Sequence, residues 1–243
     1  TQQALRVQAS IAGQAIADVT LGEARVRAAN VDCSPPPAAA PPAQTQTASE
    51  LALQCTKRRL VLQDVAIRDG RVRLLGAADR SLTGKTVSIR FLGDGKRVAT
   101  AKVRADGSFR TTARLPSKRI RSTNRARYQA SIGREKSLDL KLTRRMVLAG
   151  VAVKGGKVTI AGRVVRPLSS PASTITVKQR ISCKKSVVVA RIKPKRNGTF
   201  RVRIDAPDTQ LAAVYRLGTF VRKTTRNPKR FPTFTLPRAV DLG

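Results

Sequence analysis

Residues 59–80 read RLVLQDVAIRDGRVRLLGAADR, and residues 145–166 repeat them as RMVLAGVAVKGGKVTIAGRVVR. Nine of the 22 aligned positions are identical at a constant offset of 86 residues, and five more exchange one residue for a similar one. Self-similarity at a fixed spacing is typical of a chain built from repeated structural units. The sequence therefore predicts two consecutive copies of one domain.

Within each copy, apolar and polar residues alternate with the period of a half-buried β-strand. The alternation changes phase at Gln63-Asp64 and again at Ala149-Gly150. This shared irregularity predicts either a β-bulge or a strand that passes from one sheet to another. Asp69-Gly70 and Gly155-Gly156 follow, and such dipeptides are favoured in two-residue hairpin turns with positive φ.

A second echo aligns Asp106-Gly107-Ser108-Phe109-Arg110 with Asn197-Gly198-Thr199-Phe200-Arg201, now at an offset of 91 residues. Each copy then contains about seven short strands with turn signals every ~8–12 residues, which is the pattern of an immunoglobulin-like β-sandwich. Tyr128 and Tyr215 occupy corresponding positions. The pattern leaves two roles open for them, a tyrosine corner or plain core packing.

The predicted fold class is all-β, with two tandem immunoglobulin-like sandwiches preceded by a partial β segment and a proline-rich linker. Five prolines between residues 34 and 42 favour an extended spacer rather than a helix or sheet. Residues 4–12, 19–21 and 24–28 predict three short strands before it. The predicted ranges are 1–34 for the C-terminal part of a truncated β domain, 35–50 for the linker, 51–144 for the first sandwich and 145–243 for the second.

The charge of the chain is strongly positive and uneven. Lys and Arg outnumber Asp and Glu by 49 to 14, a net charge of +35. The first 58 residues carry only +1, so residues 59–243 carry +34. A charge of this size attracts polyanions and accelerates encounter with them.

The composition argues against an enzyme. The chain has no His, which removes the usual general base and the commonest metal ligand. Gly84-Lys85-Thr86 suggests a phosphate loop, but Asp79 stands where its first Gly is needed and Thr86 begins a predicted strand. Residues 182–185 match S-x-x-K without its SDN and KTG companions, and Cys183 has no His partner. We expect no catalytic site, no metal and no cofactor.

Three cysteines allow one disulfide and one further thiol. Cys33 and Cys55 are the candidate pair, closing a loop around the proline-rich linker; alternatively, Cys33 pairs with a residue upstream of Thr1. The chain begins without Met, so we expect a mature form or a fragment. It contains no run of about 20 apolar residues of the kind that spans a bilayer.

Residues 82–116, LTGKTVSIRFLGDGKRVATAKVRADGSFRTTARLP, resemble bacterial immunoglobulin-like repeats. Residues 51–243 as a whole resemble a group of uncharacterised secreted actinobacterial proteins with two basic repeats of this kind behind a Pro- or Gly-rich linker. The resemblance implies a β-sandwich fold and an extracytoplasmic or cell-surface location. The paired Cys and the Trp of antibody-type domains are missing, so it implies no disulfide between the two sheets of a sandwich.

The basic residues are the one feature that suggests binding. Lys102 and Arg104 fall on one face of a predicted strand, and Arg191 and Lys193 are their counterparts in the second copy. Like charges side by side on a sheet repel, and an anionic partner would relieve that repulsion. The alternative is a solvated face that keeps the protein soluble. The candidate polyanion-binding residues are Arg90, Lys102, Arg104, Arg110, Lys118, Arg119, Arg121, Lys178, Arg180, Lys184, Lys185, Arg191, Lys193, Lys195, Arg196 and Arg201.

Three functional hypotheses follow from the sequence. The first is a non-enzymatic structural or adhesive module that holds anionic wall polymer, polysaccharide or lipid headgroups. The second is sequence-independent nucleic-acid binding through charge, against which the scarcity of aromatic residues argues. The third is an accessory module of a larger secreted enzyme whose active domain precedes Thr1.

Overall fold

The computed structural model describes residues 2–11, 14–24, 46–208 and 210–242. The chain divides into two compact units, Thr1–Pro41 and Pro42–Gly243. In the first unit, β1 (Gln2–Ile11) pairs antiparallel with β2 (Gln14–Ala24). β2 runs through Gly22-Glu23, where the sequence predicts a break between two strands. Most of the third predicted strand, residues 35–45 of the linker, and Cys33 lie outside the described residues.

The second unit contains two β-sandwiches in tandem, which confirms the predicted fold class. In the first sandwich, the first, second and fifth strands form a three-stranded sheet and the others form a five-stranded sheet, all antiparallel. The three-stranded sheet contains β3 (Leu60–Arg68), β4 (Arg71–Ala78) and β7 (Ser108–Arg114). The larger sheet contains β5 (Thr86–Phe91), β6 (Arg97–Lys102), β8 (Arg127–Ile132), β9 (Glu135–Lys136) and β10 (Leu140–Lys141). A short helix, α2 (Lys118–Arg121), lies between β7 and β8.

The second sandwich repeats this arrangement strand for strand. Its three-stranded sheet contains β11 (Met146–Lys154), β12 (Lys157–Val164) and β15 (Thr199–Asp205). Its larger sheet contains β13 (Ile175–Arg180), β14 (Ser186–Ile192), β16 (Ala212–Arg222), β17 (Arg230–Phe234) and β18 (Arg238–Asp241). The last two strands pair with opposite ends of β16, as β9 and β10 do with β8. The boundaries at residues 34, 50 and 144 stay predictions.

Each sandwich has its own core, built almost entirely from aliphatic side chains. Leu60, Leu74 and Ile89 are fully buried in the first, and Ile160 and Leu217 are fully buried in the second. The two tyrosines are the largest fully buried side chains. Separate cores are what two consecutive copies of one domain require.

The phase changes in the sequence are β-bulges. β3 pairs with β4 on both sides of a register shift between Leu62 and Asp64, and β11 pairs with β12 across a shift between Leu148 and Gly150. The alternative, a strand that changes sheets, is wrong because the partner strand stays the same.

The two predicted hairpin turns also form. Asp69 and Gly70 have φ values of 47° and 69°, and Gly155 and Gly156 have values of 54° and 63°. A two-residue turn with positive φ at both positions matches the right-handed twist of the strands it joins.

Tyr215 is a core residue, and its hydroxyl has no hydrogen-bond partner in the described part of the chain. A tyrosine corner needs that hydroxyl to bond the backbone, so plain packing is the better description. The ring of Tyr128 is also buried and lies 5.1 Å from the ring of Phe91, centroid to centroid. Burial raises the pKa of each tyrosine to about 12.

Residues 48–54, which the sequence assigns to the end of the linker and the start of the first sandwich, form helix α1 (Ala48–Gln54) instead. Thr47 caps this helix: its side chain accepts from the Glu50 amide, and the Glu50 side chain accepts from the Thr47 amide. This reciprocal capping box satisfies two amides that the first turn leaves unpaired. The motif is readable in the sequence as Thr47-x-x-Glu50.

A glycine and a phenylalanine from neighbouring strands touch in both sandwiches. Gly76 of β4 lies opposite Phe109 of β7, and Gly162 of β12 lies opposite Phe200 of β15. A Cβ atom at either glycine would approach the ring within 3.0 Å, closer than real Cβ atoms come. The identical Gly and Phe of the two sequence echoes are therefore explained by one packing contact.

We predict that Gly76→Ala and Gly162→Ala each lower the free energy of unfolding by about 1–3 kcal/mol, because the added methyl group overpacks the core. Urea unfolding followed by circular dichroism measures the effect. Gly150→Ala is the matched control, since a Cβ there meets nothing within 4 Å. Equal stability of all three variants would contradict the packing role.

We predict that neither tyrosine ionises near pH 10 in the folded protein. The folded pKa of about 12 is raised above the ordinary value of 10. The stabilisation from this shift is therefore complete below pH 10 and is lost as the pH rises through 12. Absorbance at 295 nm measures tyrosinate directly, because the chain has two Tyr and no Trp. The guanidinium-unfolded chain, titrating near pH 10, is the reference; folded-state ionisation at that pH would contradict the burial.

Candidate functional site

The outer face of the larger sheet in the second sandwich brings together side chains from three strands. The register places Thr176 opposite Gly218 and Lys178 opposite Arg216, and Gly218 opposite Phe234. Directly opposed residues in neighbouring strands point to the same side of a sheet. Phe220 and Arg191 join this face through their partners Pro232 and Thr176.

Two aromatic rings are exposed on this face, in a chain with only six Phe and two Tyr. Phe220 and Phe234 are 50% and 48% exposed. The Arg216 guanidinium lies 4.6 Å from the centroid of the Phe234 ring, a cation–π geometry. The ring also covers Gly218, where a Cβ atom would lie 2.7 Å from Phe234 Cδ1. The glycine and the arginine together hold the ring in place.

A groove of about 250 Å³ runs across these residues. No carboxylate from the described part of the chain lines it. Its polar lining residues are threonines together with Lys178 and Arg216, and its apolar lining includes both exposed rings. Such a surface combines an apolar stacking platform with positive charge and neutral hydrogen-bonding groups. We call it the aromatic–basic groove.

Helix α1 covers the other part of the same outer face. Leu51 packs against Ala212, Val214 and Ala239, which are buried beneath the helix. The amide of Ala48 donates to Asp241 Oδ1 at 2.9 Å. The sheet face is thus divided into a covered apolar part and an open part that contains the groove.

A disulfide joins Cys55, which caps the C-terminal end of α1, to Cys183 in the β13–β14 hairpin. The Arg180 guanidinium donates to the Leu51 carbonyl beside it, and burial lowers the pKa of Arg180. The predicted Cys33–Cys55 pair is wrong, because the sulfur of Cys55 forms only one disulfide. The partners are separated by 128 residues in sequence, and three cysteines allow three pairings that spacing does not rank.

The structure distributes the sequence-predicted basic residues over several surfaces. Lys178 lines the aromatic–basic groove, and Arg191 lies beside it on the same sheet face. Arg180 instead donates a hydrogen bond to the Leu51 carbonyl of α1. Arg90 and Lys102 share the outer face of the larger sheet of the first sandwich, but they lie at opposite ends of the β5–β6 pair. Arg90 is opposite Arg97, and Lys102 is opposite Thr86.

The prediction that Lys102 and Arg104 share a strand face is wrong, because β6 ends at Lys102. Lys193 likewise lies beyond the end of β14 at Ile192. Arg104 and Lys193 therefore belong to the turns that precede β7 and β15. The alternation of faces along β6 and β14 does not extend to these two residues.

The remaining candidates lie on other surfaces. Arg110 and Arg201 lie on the outer faces of the two three-stranded sheets. The others lie between the strands: Lys118, Arg119 and Arg121 in helix α2, Lys184 and Lys185 in the β13–β14 hairpin, and Lys195 and Arg196 in the β14–β15 turn. They therefore do not form one continuous patch.

The exposed rings of the groove and a row of arginines were not among the residues predicted from the sequence. Arg68, Arg71 and Arg114 lie directly opposite one another across β3, β4 and β7. The alternation of Arg71 and Arg73 in the sequence was a usable signal for this row. The groove had a weaker one, since Phe220 and Phe234 stand among polar and basic residues.

Within the described ranges, no cluster of three or more Cys, Asp or Glu side chains is arranged to hold a metal ion. None of the helices there has the length and apolar character needed to cross a membrane.

No protein-family model and no curated protein sequence matches this chain. Solved structures that are similar to it include the tetra-tandem repeat in the extending region of a large adhesion protein, at 16% identity and a TM-score of 0.28 over 76% of this chain and 49% of that one. The chicken interferon gamma receptor alpha chain is 12% identical, with a TM-score of 0.29 over 75% of this chain and 97% of that one.

The FN1–FN3 domains of chicken CNTN1 are 10% identical, with a TM-score of 0.24 over 75% of this chain and 65% of that one. The chain spans about half the length of the adhesion-protein repeat structure. At these TM-scores the likenesses carry no argument about function. The fold follows from the chain's own sheets and cores.

We predict that Cys183→Ser exposes the backbone amides of α1 to hydrogen exchange and lowers the free energy of unfolding by about 2–4 kcal/mol, because the helix loses its covalent tie. Hydrogen exchange of residues 48–54 and urea unfolding measure the two effects. Cys33→Ser is the matched control and leaves both unchanged. A non-reducing peptide map that links Cys55 to Cys33 would contradict the assignment.

Proposed function

We propose that the protein is a non-enzymatic, extracytoplasmic binding module whose second sandwich holds an anionic polysaccharide or wall polymer in the aromatic–basic groove. The observation that supports this proposal most directly is the pair of exposed rings, Phe220 and Phe234, beside the cations of Lys178 and Arg216. Exposed aromatic rings are rare in this chain, and here two share one groove that no described carboxylate lines.

The chemistry of the groove suits a charged sugar polymer. The face of an aromatic ring packs against apolar C–H groups of a sugar, which removes apolar surface from water. Lysine and arginine then pair with the carboxylate, sulfate or phosphate groups of the same polymer. The dispersed basic residues on the other faces add a long-range field that attracts the polymer and raises its rate of association.

The disulfide supports the proposed location. Disulfides form and persist in oxidising compartments and are rare in the reducing cytosol. Cys55–Cys183 fixes a helix onto a sheet, so its role is structural. We therefore propose a secreted or surface-associated protein. Its actinobacterial origin stays a prediction of the resemblance, and its role as an accessory module of a larger secreted enzyme stays a hypothesis.

Single-stranded nucleic acid is the second candidate ligand, and the same two rings favour it. Bases of any sequence stack on exposed aromatic side chains while basic residues follow the phosphate backbone. The scarcity of aromatic residues argues against this function, but the exposure of Phe220 and Phe234 in one groove reduces that objection. The two candidates differ in which polymer binds more tightly at equal ionic strength.

We predict that Phe234→Ala and Lys178→Gln each weaken binding of the full chain to purified anionic wall polymer by about tenfold, roughly 1.4 kcal/mol. The phenylalanine variant loses the stacking surface, and the lysine variant loses a charge. Calorimetric titration at low and high salt measures both effects, and binding of the parent chain weakens as salt screens the charges.

Arg163→Gln is the matched control, because it removes one exposed charge from the opposite sheet of the same sandwich. We expect this variant to bind the polymer as tightly as the parent chain. If both groove variants bind the polymer as tightly as the parent chain, the proposed binding site is wrong. Tighter binding to single-stranded oligothymidylate than to wall polymer, lost in Phe234→Ala, would establish nucleic acid as the ligand instead.

A further inference from the structure

A second cavity lies where the two sandwiches meet, and both β-bulges line it. Asp64 at the β3 bulge stands on one side, and residues 148–151 of the β11 bulge stand on the other. Its volume is about 110 Å³. One water molecule needs only about 10–15 Å³ on this measure, so there is room for a larger group.

Three arginines line this cavity, and the charges of two of them act on the third. Arg68 and Arg73 come from the first sandwich and Arg238 from the second. Asp64 is the one carboxylate among the described lining residues, and its Oδ1 lies 3.3 Å from Nη2 of a fourth arginine, Arg144. One negative charge thus faces four positive ones.

Arg238 has a buried polar atom whose hydrogen-bonding need is unmet within the described residues. Its Nη1 is buried and has no hydrogen-bond partner in the described part of the chain. Burial lowers the pKa of Arg238, Asp64 acts in the opposite direction, and the charges of Arg73 and Arg68 lower it further. A buried N–H group of a charged side chain without a partner is costly, so a ligand that accepts hydrogen bonds and carries negative charge would stabilise this arrangement.

We propose that the cavity binds one phosphate group, held by Arg68, Arg73 and Arg238 between the two sandwiches. The planar fork of a guanidinium matches the oxygens of a phosphate and bonds it through two parallel N–H groups. A neutral water would satisfy Nη1 of Arg238 but would leave the repulsion among the three arginines unchanged.

This site exists once in the molecule despite the duplication. At the offset of 86 residues, Asp64, Arg68 and Arg73 correspond to Gly150, Lys154 and Thr159. The second copy therefore lacks two of the three charged groups, and its bulge forms the opposite wall instead. The site is separate from the aromatic–basic groove, with which it shares no lining residue.

Bound phosphate would connect the two sandwiches, because Arg238 belongs to one and Arg68 and Arg73 to the other. A ligand that binds only the folded, assembled pair raises the stability of that pair in proportion to its occupancy. The predicted observable is a saturable rise in melting temperature that depends on phosphate and not on ionic strength alone.

The test is calorimetric titration and thermal unfolding of the full chain with inorganic phosphate at pH 7, against sodium chloride at equal ionic strength. We expect one saturable site, and at least tenfold weaker binding in Arg73→Gln and Arg238→Gln. We expect tighter binding in Asp64→Asn, because it removes the competing carboxylate; a purely structural role for these residues predicts no such gain. Glycerol phosphate is the second arm: binding equal to that of inorganic phosphate identifies a phosphate ester as the ligand, and weaker binding identifies the free ion.

Arg163→Gln and Lys178→Gln are the controls and retain parent affinity for phosphate. Lys178→Gln separates the two proposals. It is expected to weaken polymer binding at the aromatic–basic groove and to leave the phosphate cavity unchanged. If Arg238→Gln does not fold by circular dichroism, Arg68→Gln and Arg73→Gln decide the question, because both lie on the sheet surface of the first sandwich. Equal effects of phosphate and chloride, or parent-like phosphate binding in Arg73→Gln, would overturn the proposal.

Discussion

The exclusion of charge from two small aliphatic cores is the constraint on which the rest of the structure depends. Residues 59–243 carry a net charge of +34, and an unpaired charge is too costly to bury. Strands such as β12 and β15 therefore alternate, with Val, Ile and Phe turned inward and Lys or Arg among the outward side chains. The outer faces of both sandwiches become crowded with cations as a direct consequence, and rows such as Arg68, Arg71 and Arg114 form.

Helix α1 covers part of one of these outer faces. The helix covers the small apolar residues at one end of the larger sheet in the second sandwich, and the Cys55–Cys183 disulfide holds it there. The open part of the face keeps its cations together with two exposed rings. The aromatic–basic groove is therefore what remains of the face after the helix has covered its apolar part.

The junction between the sandwiches shows what duplication produces beyond two equal copies. Both copies have a bulge at the same position in their first strand, yet in the folded chain the two bulges line one shared cavity. The side chains around it come from different copies and have diverged, with Asp64 and Arg73 facing a wall that includes Gly150. An anion site arises there from the contact between copies rather than from either copy alone.

Local sequence determined the strands of the two sandwiches, the irregularities at Gln63-Asp64 and Ala149-Gly150, and the turns at Asp69-Gly70 and Gly155-Gly156, because each depends on backbone preferences and on the inside–outside alternation of neighbouring residues. Only the pairing of β3 with β4 and of β11 with β12 decided that these irregularities are bulges. The capping box of Thr47 and Glu50 was equally local, although the proline-rich composition before it favoured a linker. Only the tertiary structure decided that Cys55 bonds Cys183, that Phe234 covers Gly218 beside Lys178, and that Arg238 and Arg73 line one cavity. Each of these contacts joins residues from distant parts of the chain, and their distance in space is set by how sheets and sandwiches pack, which no local pattern encodes.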